Sequence, residues 1–173
     1  MNRQQRRKAS KQNTKLANDI IKSLWDQALS FKKNGEYVIP MAFIMDYHGA
    51  WVFPIPRPTD EGESDEARLI SRDLWAHQIK KAARDRRADI VITITEAYMS
   101  PPGLENESLS VVLAGGRIKD MPNPIDAIVL SAETRTGKTR MLWVVLEEDK
   151  LGKVTDIGWN KSQSQGVLSQ WFG

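Results

Sequence analysis

Residues 89–95 alternate strictly between two sets of side chains, and this alternation constrains the fold more than any other part of the sequence. The isoleucines Ile90, Ile92 and Ile94 form one set, and the alternate positions hold valine and threonine. A period of two places successive side chains on opposite faces of a β-strand, and β-branched residues favour strands. The segment therefore predicts a strand with one apolar face, and continued alternation places Glu96 on that face.

Along the rest of the chain, the spacing of apolar residues is typical of helices in some segments and of strands in others. Apolar residues recur every three or four positions in residues 16–33 and 65–87, which predicts two amphipathic helices. The first should stop at Asn34-Gly35, and the second should bury one broad face. That face holds Ala67, Ile70, Leu74, Trp75, Ile79 and Ala82.

Six further segments favour strands, and their order predicts the fold class. They are residues 37–45, 50–55, 109–114, 127–132, 140–146 and 154–159. Pro40, Pro54 and Pro56 place at least one strand at a sheet edge, because proline cannot donate to a ladder. Consecutive strands with short turns predict a single α+β domain, a mainly antiparallel sheet with both helices on one face.

Length and composition limit the classes of protein that this chain can form. The chain has 173 residues, 40% of them hydrophobic, which suits one domain with its own core. We divide it into a basic arm at 1–15, the α+β domain at 16–161 and a C-terminal tail at 162–173. The absence of cysteine excludes disulfides, thiolate metal sites and cysteine nucleophiles. No apolar run reaches the roughly 18 residues of a membrane span, so we expect a cytoplasmic protein.

Positive charge is concentrated in the basic arm. Residues 1–15 hold six cations and no acid, although the whole chain carries only +3. These cations are Arg3, Arg6, Arg7, Lys8, Lys11 and Lys15. Localised charge binds polyanions, so we expect the arm to engage nucleic acid or an acidic protein surface, with a solubilising tail as the third alternative. The arm has almost no apolar face, and we expect it to order on its partner.

The second predicted helix ends in another basic segment. Five of the eight residues 80–87 are lysine or arginine. Cations at a helix C-terminus interact favourably with the helix dipole, which explains the segment without a ligand. A nucleic-acid patch is the alternative. His77, one turn earlier, is expected to pack at the margin of the core.

Residues 132–139, Ala-Glu-Thr-Arg-Thr-Gly-Lys-Thr, fit a loose form of the phosphate-binding loop. Phosphate binding by such a loop needs a helix whose N-terminus faces the phosphate. The residues that follow, 140–146, are β-branched and aromatic and favour a return strand. We therefore expect a hairpin turn at 135–138 and keep nucleotide binding at 132–139 as a less favoured alternative.

Histidine and carboxylate residues offer a function of another class. Asp46 and His48 share a predicted turn, and Glu96 lies on an otherwise apolar strand face. A carboxylate in that position must be paired or protonated, or must lie where the sheet ends, and we expect Glu96 to meet a lysine or arginine. The alternative is a small metal-dependent hydrolase that uses Glu96, Glu133 and His48. No spacing predicts a resident metal or cofactor, and the sequence favours a non-catalytic binding protein.

The C-terminal tail carries two aromatic residues, Trp171 and Phe172, after the polar residues 162–166. Aromatic side chains are costly to leave in water, so we expect them to close onto the domain as a latch. In the alternative, Trp171 and Phe172, or the helix at 16–33, bind a protein partner or a second copy of the chain.

Two stretches resemble a pattern in uncharacterised small bacterial and phage proteins. Residues 92–99, Ile-Thr-Ile-Thr-Glu-Ala-Tyr-Met, end a strand in Glu-Ala-aromatic-Met. Residues 121–133 then supply a proline-rich turn and a second strand. The resemblance implies that Glu96 and Glu133 end neighbouring strands, and it implies no activity.

Overall fold

The fold is built around one antiparallel sheet. The computed structural model describes residues 3–46, 53–56, 65–101, 103–114, 116–147, 150–160 and 171–172. Its helices and strands are α1 (Arg3–Lys33), β1 (Met41–Met45), β2 (Phe53–Pro56), α2 (Asp65–Asp85), β3 (Ile90–Met99), α3 (Glu105–Leu113), β4 (Ile125–Thr134), β5 (Thr139–Glu147) and β6 (Lys150–Asp156), with a 3₁₀ turn at Ile118–Asp120. These elements confirm the prediction of an α+β domain with an antiparallel sheet and two main helices.

Within the described residues the sheet has six strands in the order β2-β1-β3-β4-β5-β6, and every neighbouring pair is antiparallel. The strand predicted at 89–95 is the central β3, which continues to Met99. It pairs with β4 over its whole length, from Ile90 opposite Thr134 to Met99 opposite Ile125. Strand β2, which contains Pro54 and Pro56, lies at one edge, as the prolines predict.

The two main helices cover opposite faces of the sheet, so the prediction that both lie on one face is wrong. Helix α1 packs Ala17, Ile21, Trp25 and Ala28 against the isoleucine face of β3. Helix α2 packs Trp75, Ile79 and Ala83 against Ala42, Ile44 and Val91. The physical reason is that β1 and β3 are apolar at successive positions, and each of their faces needs its own cover.

The buried face of α2 is narrower than predicted. Trp75 and Ile79 are buried, but Ile70 and Leu74 are 55% and 57% exposed. A helix that packs on a sheet buries a single stripe, and here the stripe runs through Trp75, Ile79 and Ala83.

The strand predicted at 109–114 is wrong, because residues 109–113 form the end of α3 and residue 114 lies in the turn that follows. The N–H of Ser108 donates to the carbonyl of Leu104 at 2.9 Å, in the first turn of the helix. The buried Ser108 hydroxyl then donates to the sulfur of Met121 at 3.2 Å. These contacts outweigh the strand preference of Val111, because β-propensity is a weak and context-dependent preference.

The bounds of β1 and β6 also differ from the predictions. Residues 37–40 precede β1, and the N–H of Val38 donates to the side chain of Glu96 rather than to a strand. Strand β6 begins at Lys150 rather than residue 154 and ends at Asp156. The predicted stop of the first helix is confirmed: Gly35 has a φ of +76°, and the N–H of Glu36 donates to the carbonyl of Phe31 at 2.9 Å.

Candidate functional site

One end of the sheet gathers the basic segments that the sequence keeps apart. Strands β1 and β4 end there, and β3 and β5 begin there, with the turn at 135–138 between β4 and β5. Helix α2 also ends there, because residues 86–89 lead directly from it into β3. We call this the basic end, defined by the last turn of α2, residues 86–89 and residues 135–140. It places Lys/Arg residues from α2 beside those of the β4–β5 turn.

A cleft of about 350 Å³ opens at the basic end between α2, the β4–β5 turn and the chain terminus. We call it the basic cleft. Its lining residues are His77, Lys80, Lys81, Ala83, Arg84, Arg135, Trp171 and Phe172. None of these described lining residues is acidic, so the cleft presents positive charge over an apolar floor.

The α2 side of the basic cleft follows from helical spacing. His77, Lys80, Lys81 and Arg84 lie at i, i+3, i+4 and i+7, which places them along one stripe of the helix. All four are exposed, whereas the neighbouring stripe through Ile79 and Ala83 is fully buried. The buried stripe therefore fixes the position of the cationic one.

Arg135 forms the opposite wall, and its position is fixed by the connection between α2 and β3. Its backbone N–H donates to the carbonyl of Asp89 at 2.9 Å. Its guanidinium donates through Nε to the carbonyl of Ala88 at 2.8 Å and makes a second bond through Nη2 to the same oxygen. The guanidinium carbon lies 5.6 Å from the centre of the Phe172 ring, within the range of a cation–π contact.

Trp171 and Phe172 pack on the domain itself, as expected for a latch. Trp171 is 3% exposed and belongs to the core cluster of Trp75, Ile79 and Ala83. Its backbone N–H donates to Oε2 of Glu133 at 3.2 Å. Phe172 is half-buried against the same cluster. Trp171 is thus core rather than a free docking peptide, and Phe172 forms part of the cleft floor.

Helix α1 extends the basic end beyond the sheet. Oδ1 of Asn18 accepts hydrogen bonds from Nη1 of Arg140 and Nε1 of Trp159, both at 2.8 Å. At its other end, Nζ of Lys32 lies 3.2 Å from Oε1 of Glu96. The helix therefore runs away from the basic end, and the turns before Asn18 project past Arg140. At a rise of 1.5 Å per residue, the helix from Arg3 to Asn18 spans about 22 Å.

The backbone of the basic arm from Arg3 onward is thus part of α1, at the same end of the sheet as the basic cleft. Lys15 is exposed. The side chains of the other arm cations lie outside what the structure describes. They are Arg3, Arg6, Arg7, Lys8 and Lys11.

Glu96 and Glu133 do not form a common site. Glu96 faces α1, where it accepts hydrogen bonds from the Val38 N–H at 2.9 Å and from Lys32. Glu133 faces the other side of the sheet and meets Trp171. In the register, Glu96 is opposite Ile128, five positions from Glu133, which is roughly 17 Å along the strand. Strands β3 and β4 are neighbours, but they are antiparallel, so these residues lie towards opposite ends.

The described residues give no support to the rest of the hydrolase alternative, which is His48 and a metal ion. His48 lies outside the described residues. Across the part of the chain that the structure describes, no group of three or more His, Asp or Glu side chains is placed to hold a metal ion. Glu96 is instead the partner of a lysine, as expected for a carboxylate on an apolar face.

A second carboxylate lies near the Glu96–Lys32 pair. Burial raises the pKa of Asp126, and the negative charge of Glu96 raises this pKa further, while Lys32 opposes both effects. Asp126 and Glu96 both lie on the α1 face of the sheet, two positions apart in the register. The cluster therefore contains one cation, Lys32, and two acids, Glu96 and Asp126.

Residues 132–139 form the end of β4, a turn and the start of β5, as predicted for a hairpin. The N–H of Gly137 donates to the carbonyl of Thr134 at 2.9 Å, and the N–H of Lys138 donates to the Thr134 hydroxyl at 3.0 Å. Gly137 has a φ of +75°, which suits a tight turn. These amides bond within the turn, and β5 stands where a phosphate-binding loop requires a helix.

The apolar face of the helix at 16–33 packs on the domain's own sheet through Ala17, Ile21, Trp25 and Ala28. Beyond that stripe, Phe31 is 47% exposed and borders an apolar groove of about 250 Å³ with Tyr37 and Ile39. The groove lies away from the basic end. Among the described residues no helix is long and apolar enough to cross a membrane.

The sequence carries one signal for the basic cleft, the helical spacing of the α2 cations. The spacing of His77, Lys80, Lys81 and Arg84 marks one helical stripe, but the helix dipole explains the cations equally well, and His77, expected at the margin of the core, is exposed. Arg135 and Phe172 join them only through the fold. Comparison with protein-family models, with curated proteins and with solved structures found no match to this chain.

Proposed function

We propose that this protein binds nucleic acid through its basic end and performs no catalysis. The observation that carries the proposal is the basic cleft, which joins Lys80, Lys81, Arg84 and Arg135 at the end of the sheet from which the basic arm projects. The α2 cations and Arg135, which are far apart in sequence, thereby line one cleft. A cytoplasmic location belongs to the same proposal.

The physical basis is the exchange of counterions for protein cations along a phosphate backbone. Each phosphate that is neutralised on a duplex lowers the slope of log K against log salt by about 0.9. The six arm cations alone give a slope near −5, and the four cations of the basic cleft extend it to about −9. Such contacts position the protein without reading bases, so binding should tolerate changes of sequence.

The experiment is fluorescence anisotropy of labelled single-stranded and double-stranded oligonucleotides at several salt concentrations. Three forms of the full chain are compared: the natural sequence, an arm variant in which all six cations are replaced by glutamine, and the cleft variant Lys80→Gln, Lys81→Gln, Arg84→Gln. We expect both variants to bind more weakly, and the cleft variant to lose about 2–3 units of salt slope.

A matched control removes the same number of charges elsewhere. Lys33, Lys150 and Lys153 are exposed on the last turn of α1 and on β6, and their replacement by glutamine should leave the affinity nearly unchanged. Equal losses in this control and the cleft variant would mean that only net charge matters. Absence of binding to any oligonucleotide, combined with binding to an acidic polypeptide such as polyglutamate, would replace nucleic acid by an acidic protein surface.

A further inference from the structure

We infer that the basic cleft takes one unpaired nucleotide, so that the protein prefers single strands to a duplex. This inference rests on the proposed function and specifies its substrate class. It is carried by the shape of the basic cleft and by two planar groups inside it, rather than by charge alone.

The size of the basic cleft suits a small molecule. Its volume of about 350 Å³ falls within the roughly 300–1,000 Å³ of small-ligand pockets. A base pair carries two strands and their backbones, which a cleft of this volume cannot enclose. A base that is free of its partner can enter from the strand, as in proteins that recognise single-stranded nucleic acid.

The floor and wall of the basic cleft supply two surfaces for stacking. Bases of single strands stack on aromatic rings and on arginine guanidinium planes. Phe172 provides the ring, and Arg135 provides the guanidinium 5.6 Å from its centre. An acidic peptide would use the charges of the basic cleft but would have no use for these planes.

Both stacking groups are held in place before a ligand arrives. The Arg135 guanidinium is tied to the carbonyl of Ala88 by two hydrogen bonds. Phe172 follows Trp171, whose side chain is buried and whose backbone N–H donates to Oε2 of Glu133. Groups that are already ordered lose little entropy on binding.

The cationic stripe of α2 lies where the phosphates of the strand would run. From His77 to Arg84 it extends about 10 Å along the helix, at 1.5 Å per residue. Its side chains are exposed and reach solvent beside the cleft floor. A base on Phe172 and Arg135 would leave its own phosphate and the next one against this stripe.

The test compares a labelled twelve-nucleotide oligothymidylate with a blunt duplex hairpin whose loop is capped by a short linker. Phe172→Leu keeps an apolar side chain on the core cluster and removes the aromatic plane. We expect this variant to bind the single strand about tenfold more weakly, which corresponds to about 1.4 kcal/mol and to one stacked base. Binding to the hairpin should be unchanged. Phe31→Leu, at the exposed aromatic residue on α1, is the matched control and should change neither affinity.

A second variant keeps the test valid if Phe172→Leu unfolds. Arg135→Lys keeps the charge and removes the guanidinium plane, and it should weaken single-strand binding by a similar factor without changing the salt slope. Equal binding of single strand and hairpin by the natural chain, or single-strand affinity that survives both substitutions, overturns the inference and leaves the proposed function standing.

Titration with a nucleoside monophosphate further distinguishes failure of this inference from failure of the proposed function. Trp171, one of the chain's six tryptophans, lines the basic cleft, so a bound nucleotide should quench part of the tryptophan fluorescence, whereas inorganic phosphate at the same concentration should quench less. If no oligonucleotide binds, the proposed function fails. If the monophosphate also gives no more quenching than phosphate, the nucleotide pocket is overturned independently.

Discussion

The backbone N–H of Trp171 donates to Oε2 of Glu133 at 3.2 Å, which ties the end of the chain to the end of β4. The bond lies in a buried part of the structure, and the Trp171 side chain fills the space between Trp75, Ile79 and Ala83. Because Phe172 follows immediately, the same contact places the floor of the basic cleft. The closure of the core and the shape of the candidate site therefore depend on one short segment.

Trp171→Ala should lower the free energy of unfolding by about 3 kcal/mol, the lower part of the range for removing a buried aromatic side chain. The lower part is appropriate because a short segment can detach locally while the sheet stays folded. Urea unfolding followed by far-ultraviolet circular dichroism measures the change. Tyr37→Ala, at an exposed aromatic residue away from the core, is the control and should change stability by less than about 0.5 kcal/mol. Equal effects of the two substitutions would show that Trp171 does not close the core.

Glu96→Gln should destabilise the protein by about 1 kcal/mol without affecting the binding of any divalent metal. The substitution keeps an acceptor for the Val38 N–H but removes the charge that faces Lys32, whose side chain is itself largely buried. The double variant Glu96→Gln, Lys32→Met should recover part of the loss, because no unpaired ammonium remains. Thermal unfolding in the presence and absence of Zn²⁺ or Mg²⁺ tests both statements. A metal-dependent gain in stability that vanishes in Glu96→Gln would restore the hydrolase alternative.

Asp126→Asn should stabilise the protein near pH 7 and have no effect near pH 3. Burial and the nearby Glu96 raise the pKa of Asp126, so the native state holds this proton more tightly than the unfolded chain. The stability that Asp126 contributes is present at acid pH and is lost as the pH rises through its raised pKa. The gain on substitution should stay within about 0.5 kcal/mol, because the carboxyl is partly exposed and screened.

Asp156→Asn is the control of opposite sign. The hydrogen bond from Arg140 lowers the pKa of Asp156, so this carboxylate stabilises the native state at neutral pH and loses its effect as the pH falls. Urea midpoints measured between pH 3 and pH 7 should therefore move in opposite directions for the two variants. Shifts of the same sign would contradict the assigned environments.

Features that depend on near neighbours in sequence could be predicted, and those that depend on distant segments could not. The end of α1 at Gly35 and the hairpin turn at Gly137 follow from local backbone chemistry. The pairing of Glu96 follows from the cost of a lone carboxylate on an apolar face. Which face each helix covers depends on the whole sheet, and alternation within one strand does not specify it.

The basic cleft illustrates the second case most directly. Its helical stripe can be found by spacing, but Arg135 lies 51 residues after Arg84 and Phe172 lies 37 residues after Arg135 in the sequence. Their meeting depends on antiparallel pairing of β3 with β4, which brings the turn at 135–138 beside residues 86–89. Only the assembled sheet brings the cations of α2 together with Arg135 and the ring of Phe172.

Asn18→Ala should lower the free energy of unfolding by about 1–2 kcal/mol, because the Asn18 side chain accepts hydrogen bonds from both Arg140 and Trp159. Removing it leaves the indole N–H of Trp159 without that acceptor, while Arg140 retains Asp156. Asn18→Asp keeps an acceptor for both donors and should restore most of the stability through a charge-assisted bond to Arg140. Asn18 also holds α1 on the sheet at the point where the basic arm begins to project beyond it. Asn18→Ala should therefore weaken oligonucleotide binding as well, and Asn18→Asp should restore that binding. Loss of stability with unchanged binding would show that the arm acts independently of its orientation.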